Sequence, residues 1–256
     1  MASNIGIVRS ITQVGTYEPF ELQVARGQIA GHSTVNIYGA QGALSTTYLP
    51  LWENLSAYTY PGSAATMHVA SSVNTGSDKT GTTVLVQGLD SSYVAISETV
   101  TLNGTTAVTT TKSYLRINSM SVSAGAPTGT ITLKDLTDTT TYAQINPTIG
   151  RTQMSLYTVP AGFTFYLSRI DAYTSLNGAT ADYNIYRNVA TTSAGVTSVS
   201  QQAPFTNTYH AQRVMPRAFS EKTDIQLQCK AATGPSYTSI AAEGFLVANY
   251  IVGTTG

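Results

Sequence analysis

Charge is scarce in this 256-residue chain: 13 basic and 13 acidic residues make up 10% of it, where an ordinary globular domain carries roughly 25%. Neither sign gathers into a block. Before residue 149 there are 6 basic and 8 acidic residues, and after it 7 and 5. Nucleic-acid binding asks for a basic stripe, and with none present nucleic acid is not expected as a partner. Cysteine is almost absent. Cys229 stands alone, which rules out a disulfide within the chain and suits a reducing site of synthesis. Long apolar runs are missing too. The nearest, Phe245 to Val252, falls far short of the roughly 18 residues of a membrane span, so no membrane partner is expected. The opening MASNIGIVRSITQ has no basic segment followed by a continuous apolar one, and no secretory signal is expected.

Catalytic and metal-binding patterns are equally thin. His32, His68 and His210 are far apart and lack ligand spacing, so structural or surface roles are the simpler reading. There is no G-x-S-x-G elbow, no Walker loop and no G-x-G-x-x-G. Cys229 alternates with Leu227 and Ile225, the setting of a small buried hydrophobe rather than a nucleophile. Asp135 with Asp138, and Glu221 with Asp224, are close carboxylate pairs in turn-like sequence. Such pairs can hold calcium, but exposed turn acids are commoner. Asn54 and Asn103 open glycosylation-type triplets, which count for little without a secretory signal. No catalytic, metal or cofactor residues are assigned, and the expectation is a protein that is not an enzyme.

What is present is hydroxyl and phenol. Threonine occurs 41 times, serine 25 and tyrosine 16, against 6 Phe and 1 Trp. Threonine is β-branched and fits a half-exposed pleated surface. Tyrosine presents an apolar body and a polar tip, the pattern of surfaces covered by a partner but still wet. Few charges also give little protection against self-association. An assembly subunit is the natural reading.

Period-two alternation runs through most of the chain. Val84 and Val86 share one face, as do Val94, Ile96, Val100 and Leu102, with Glu98 the exception. Asn103-Gly104 and Asn177-Gly178 are hairpin-grade dipeptides, and Thr105 to Thr111 reads as the strand returning from the first. Glycines at 125 and 129 mark another turn. A break falls at Asn146–Gly150, after which Leu156, a Pro160-Ala161-Gly162 turn and Phe163, Phe165 and Leu167 restart the alternation. The expected fold is all-β: an irregular N-terminal arm over residues 1–60, a first antiparallel β-sandwich over 61–148, and a second, jelly-roll-like one over 149–256.

Several blocks carry a resemblance. Gly31 to Gly39 with Leu51-Trp52-Glu53, then Val86 to Asp90, Ser97 to Thr110 and Tyr114 to Ile117, are similar to a virion structural protein family of tailed bacteriophages, especially marine ones. Leu156 to Leu167 and Phe219 to Ile225 resemble a module repeated in phage structural proteins. The blocks are scattered between Gly31 and Ile225 and consist of turn and strand residues, so they specify fold better than role. The resemblance implies a capsid decoration or cement protein, a homo-oligomer with a trimer favoured. Its partners would be the major capsid protein or other virion proteins, and it would assemble in the host cytoplasm. Residues 1–60 would then dock to the head or a sister subunit, with Arg26, His32 and Trp52 as contact candidates. Trp52 is an anchor type at interfaces, and equally a local core plug.

Three rivals stand beside this reading. A tail or head–tail connector protein would share most features and differ in ring symmetry. A carbohydrate-binding receptor-recognition module is suggested by the tyrosines and Trp52. A polysaccharide-degrading enzyme would need two carboxylates about 5–10 Å apart across a cleft, and the acids here are sparse and scattered.

Overall fold

The computed structural model describes residues 18–54, 56–175, 184–231 and 237–250. Helix α1 (Phe20–Ala25), β1 (His32–Gln41) and β2 (Leu49–Pro50) come first. Then follow β3 (His68–Ser71), helix α2 (Gly76–Lys79), β4 (Thr83–Leu89), β5 (Ala95–Thr101), β6 (Val108–Thr109), β7 (Arg116–Ala124), β8 (Ile131–Lys134) and β9 (Thr141–Ile145). The remainder is β10 (Leu156–Thr158), β11 (Phe163–Ser175), β12 (Asn184–Thr191), β13 (Thr197–Phe205), β14 (Thr208–Phe219), β15 (Asp224–Ala231) and β16 (Tyr237–Ala248). Every pairing among these strands is antiparallel, so the chain is all-β.

The first body holds a sheet β6-β3-β8-β9 and a sheet β5-β4-β7. One buried cluster draws on both: Val69, Ile131, Leu133 and Ile145 from the first, Val84, Val86, Val100 and Met120 from the second. Alternation in β4 sends Val84 and Val86 inward, as their spacing predicts. Glu98, the polar intruder on β5, is satisfied by the Thr111 N–H (2.8 Å), the Thr111 hydroxyl (2.7 Å) and the Lys112 N–H (3.2 Å). Asn103-Gly104 does turn the chain, but it makes no hairpin, because β5 and β6 belong to different sheets. The turn is instead pinned to the 71–78 segment: Gly104 donates to the Asp78 carbonyl at 2.8 Å and accepts from Ser71 N–H at 2.9 Å. A Cβ on Gly104 (φ +63°) would lie 2.2 Å from Asn74 Oδ1. Tertiary anchoring has overridden the local hairpin preference. Asn177-Gly178 lies outside the described residues.

The second body pairs a sheet β1-β16-β11-β14 with a sheet β10-β15-β12-β13, to which β2 adds against β15. Phe165, Leu167, Ile170 and Ile240 from one sheet meet Tyr186, Ile225, Leu227 and Cys229 from the other in a second buried cluster. Three nested pairs, β10·β15, β11·β14 and β12·β13, alternate between the two sheets.

The expected arm is different in kind. Residues 32–41 form a regular ten-residue strand along the whole of β16, from His32 opposite Val247 to Gln41 opposite Thr238. Residues 49–50 join β15. Residues 32–50 therefore belong to the second body, the first body is inserted between β2 and β10, and residues 1–17 of the expected arm lie outside the described residues. A buried hub explains the attachment. Ser155 Oγ accepts from Leu51 N–H (2.8 Å) and donates to the Leu227 carbonyl (2.6 Å), while Ser155 N–H donates to the Leu51 carbonyl (2.8 Å). Gly39 is glycine because a Cβ there would sit 2.5 Å from the Leu51 carbonyl oxygen. Tyr48 adds a clamp outside, with the Arg187 guanidinium 3.9 Å and the Lys230 ammonium 4.7 Å from its ring centre.

Candidate assembly interface

The two bodies are locked by one nearly buried ion pair. Arg116 of β7 reaches Asp224 of β15 through Nε (2.8 Å) and Nη2 (3.0 Å), with side chains only 12% and 11% exposed. Thr158 Oγ1 donates to the same carboxylate at 2.6 Å. The guanidinium lies over Tyr60 at 4.6 Å and Tyr93 at 5.5 Å, and its contacts with Asp224 raise its pKa despite burial. Beside it, Asn118 exchanges two hydrogen bonds with the Thr158 backbone, at 3.0 and 2.9 Å. Asn118 is an extra residue of β7, where Gln87 faces Ser119 and Gly88 faces Ile117, and such a bulge turns its side chain toward the other body. This seam joins the two bodies through a nearly buried ion pair and two backbone-directed hydrogen bonds.

Trp52 packs into the first body. It is 1% exposed within the first cluster, donates from Nε1 to the Ser56 carbonyl (2.8 Å) and packs edge-on against Tyr58, which in turn meets Tyr60. The core plug is what the structure shows, so Trp52 is removed as a surface contact. Arg26, by contrast, is 57% exposed and pairs with Glu18 just after α1. His32 opens β1, with Nδ1 3.0 Å from the Ala30 carbonyl and its ring edge-on to Phe20. Arg26 and His32 flank the same short helix, while Trp52 lies in the other body's core.

The remaining chemistry-bearing residues are each engaged separately. His68 pairs with Asp138 at 3.1 Å, and His210 with Asp171. Asp135 is tied up by Thr139 and Thr140 in its own turn, Glu221 accepts from Gly162 N–H, and Asp224 serves the seam. Among the described residues no three His, Cys, Asp or Glu side chains come together as a metal site. Burial pushes the Cys229 thiol well above its ordinary range, which suits the expected hydrophobe.

Glu53 is the titratable exception. Burial raises its pKa from 4.5 to about 7; the Gln153 N–H donates to one oxygen, and the other is buried without a partner. The native state therefore holds a proton that the unfolded chain has released, so stability falls as pH rises from 4.5 through 7. Glu53→Gln is expected to flatten that fall. It should raise stability at pH 8 by on the order of 2 kcal/mol and change little at pH 4, as read from urea midpoints at both pH values.

An adjacent pair of highly exposed apolar side chains lies at the edge of the second body, where β13 and β14 each end a sheet. Ser168 is an extra residue on β11, and opposite it β14 runs out of register: Leu167 faces Arg217 while Arg169 faces Gln212. Residues 213–216 are thereby pushed out of the ladder, leaving Val214 97% and Met215 83% exposed. Pro216, which has no N–H to give a ladder, sits in the same segment. On the neighbouring strands Ile185, Pro204 and Phe205 line a mostly apolar hollow of about 570 Å³. One edge thus carries both a protruding apolar tip and an apolar recess. Singly exposed hydrophobes are ordinary, but an adjacent pair raised from a sheet edge is not.

All-β bodies of this kind define an architecture, and comparison with known proteins adds no family to it. No protein family and no curated protein matches the chain. Among solved structures, a chain of infectious bursal disease virus strain Gt is 14% identical over 86% of this chain and 74% of its own, with a TM-score of 0.20. A chain of T=1 particles derived from infectious bursal virus is 12% identical over 85% and 68%, with a TM-score of 0.22. Scores this low are far from those of chains that share a fold.

Proposed function

We propose that this chain is a non-enzymatic structural subunit of a tailed-phage virion, a decoration or cement protein that binds the head surface and stabilises it. The sequence resemblance supplies the virion, and the low charge supplies the readiness to be buried. The observation that carries the assembly reading is the Val214–Met215 tip on an open sheet edge. Its occupant in this reading is a second copy of the chain, because the recess of Ile185, Pro204 and Phe205 lies on the strands beside that edge. A tip entering the next copy's recess is a heterologous contact, which gives a ring where the rotation closes, the smallest being a trimer, and a filament where it does not. We read both bodies as β-sandwiches, the second as jelly-roll-like from its three nested pairs. The exposed end bearing Arg26 and His32 is assigned to contact with the major capsid protein.

The test is the assembly state by mass photometry, alone and with heads stripped of accessory proteins. A trimer that saturates heads at fixed stoichiometry, and that Val214→Asp with Met215→Asp reduces to monomers, is the expected result. A ring of six or twelve without affinity for heads would transfer the protein to the tail or connector. A monomer that both variants leave unchanged would end the self-assembly reading.

A further inference from the structure

A groove runs between the two bodies, and its chemistry is not that of the apolar tip. Two adjoining hollows, of about 250 and 410 Å³, share Asn36, Gln87, Asn118, Ser119 and Tyr157. The larger lies within the roughly 300–1,000 Å³ usual for small-molecule sites. One wall is β1 from Thr34 to Tyr38. Among the described residues that strand pairs only with β16, so its other edge offers backbone N–H and C=O groups. The opposite wall comes from β4, β5 and β7 of the first body.

The polar groups here have capacity left over. Gln87 accepts from the Ser119 hydroxyl at 2.9 Å through Oε1, which fixes the amide and leaves its NH₂ group to donate. The Asn36 amide and the Tyr157 hydroxyl make no hydrogen bond among the described residues, although both line both hollows. Asn118 is spent on the Thr158 backbone and holds the two walls at a fixed distance. Arg151 is the single charged side chain of the lining, and its guanidinium lies 5.8 Å from the centre of the Tyr38 ring. Amides, a phenol and an open peptide edge give paired donors and acceptors without net charge. Sugar hydroxyls are donors and acceptors in the same way, and the tyrosine rings suit their C–H faces. An anionic ligand would find one cation, itself placed over an aromatic ring.

We propose that the groove between the two bodies binds a neutral oligosaccharide laid along the open edge of β1. The seam serves this site directly, since Asn118 of one wall is hydrogen-bonded to the Thr158 backbone of the other body. The site is independent of the apolar edge and of how many copies assemble.

The experiment uses the full chain with short dextran, cellulose and mannan fragments, and oligogalacturonate as the acidic counterpart, followed by saturation-transfer NMR and calorimetry. At least one neutral fragment is expected to bind with a dissociation constant of roughly 10 μM to 1 mM. The double variant Asn36→Ala, Gln87→Ala should weaken that binding at least about tenfold, with unchanged thermal unfolding because both side chains are exposed. The double variant Val214→Asp, Met215→Asp should leave it intact. The proposal is overturned if no neutral fragment binds at millimolar concentration, if binding survives the Asn36 and Gln87 changes, or if the acidic fragment binds better. Capture of an extended peptide on β1, blocked by Thr34→Pro and indifferent to Gln87→Ala, would also overturn it.

Discussion

Replacing Asp224 by alanine is expected to cost about 3–5 kcal/mol, read as a large drop in the urea midpoint. The reason is asymmetry rather than the strength of the pair. Arg116 is only 12% exposed and cannot recover its lost partner from water. Removing the carboxylate also strands the Thr158 hydroxyl, which donates to it at 2.6 Å. Taking both charges away together, as Arg116→Met with Asp224→Leu, should recover much of the loss, because the desolvation cost goes with them. The surface pair Arg169–Asp171, 47% and 33% exposed, provides the contrast. Arg169→Ala should change stability by no more than about 1 kcal/mol. Equal effects at the two sites would mean that the seam is solvated and that the bodies are not locked.

Gly244→Ala is expected to be the other severe change, at about 3 kcal/mol or more, with loss of soluble yield as a second readout. A Cβ at Gly244 would lie 2.1 Å from the Tyr166 carbonyl oxygen and 2.8 Å from Phe165 Cε2. Backbone cannot step aside as a flexible side chain can. Gly244 lies in the middle of the sheet, opposite Leu167, where β11 carries its extra residue Ser168. Ser168 Oγ donates to the Glu243 carbonyl at 3.0 Å, which holds the bulge. The same irregularity sets β14 out of register, so the change should also displace the Val214–Met215 tip. Gly62→Ala is the control: nothing lies within 4 Å of its Cβ, and it should unfold close to wild type.

The contrast between these glycines shows what could be read from the sequence and what could not. Period-two alternation is a local signal, and it placed Val84, Val86, Phe165 and Leu167 on inward faces where the structure has them. The Pro160-Ala161-Gly162 turn is local as well, and Gly162 adopts φ +81° between β10 and β11. Which sheet a strand joins is not local. Asn103-Gly104 reads as a hairpin only until Asp78 and Ser71, from elsewhere in the chain, take its backbone groups. Arg116 and Asp224 are 108 positions apart, and no spacing rule connects them. Trp52 was readable as an aromatic anchor; that it anchors inward was decided by Tyr58 and the first body's core. Gly39 was visible as a glycine, but not that three segments meet there at Ser155. The tip at Val214 had no sequence signal beyond two adjacent hydrophobes before a proline. The groove had none, because its walls come from β1 and β4, which share no register.

The pairing of β1 with β16 sets an order of events during synthesis. His32 must wait for Val247 before its strand has a neighbour, while the strand ladders of the inserted first body lie between His68 and Ile145 and its core is complete by Leu156. That body can become native on the ribosome while β1 still trails as an unpaired edge, and the last ladder to form is the most non-local one in the chain. During that interval an emerging β16 from a neighbouring nascent chain is as good a mate for β1 as its own. Crowded polysomes would then yield entwined pairs in which two chains exchange terminal strands, with every contact described above preserved but divided between two molecules.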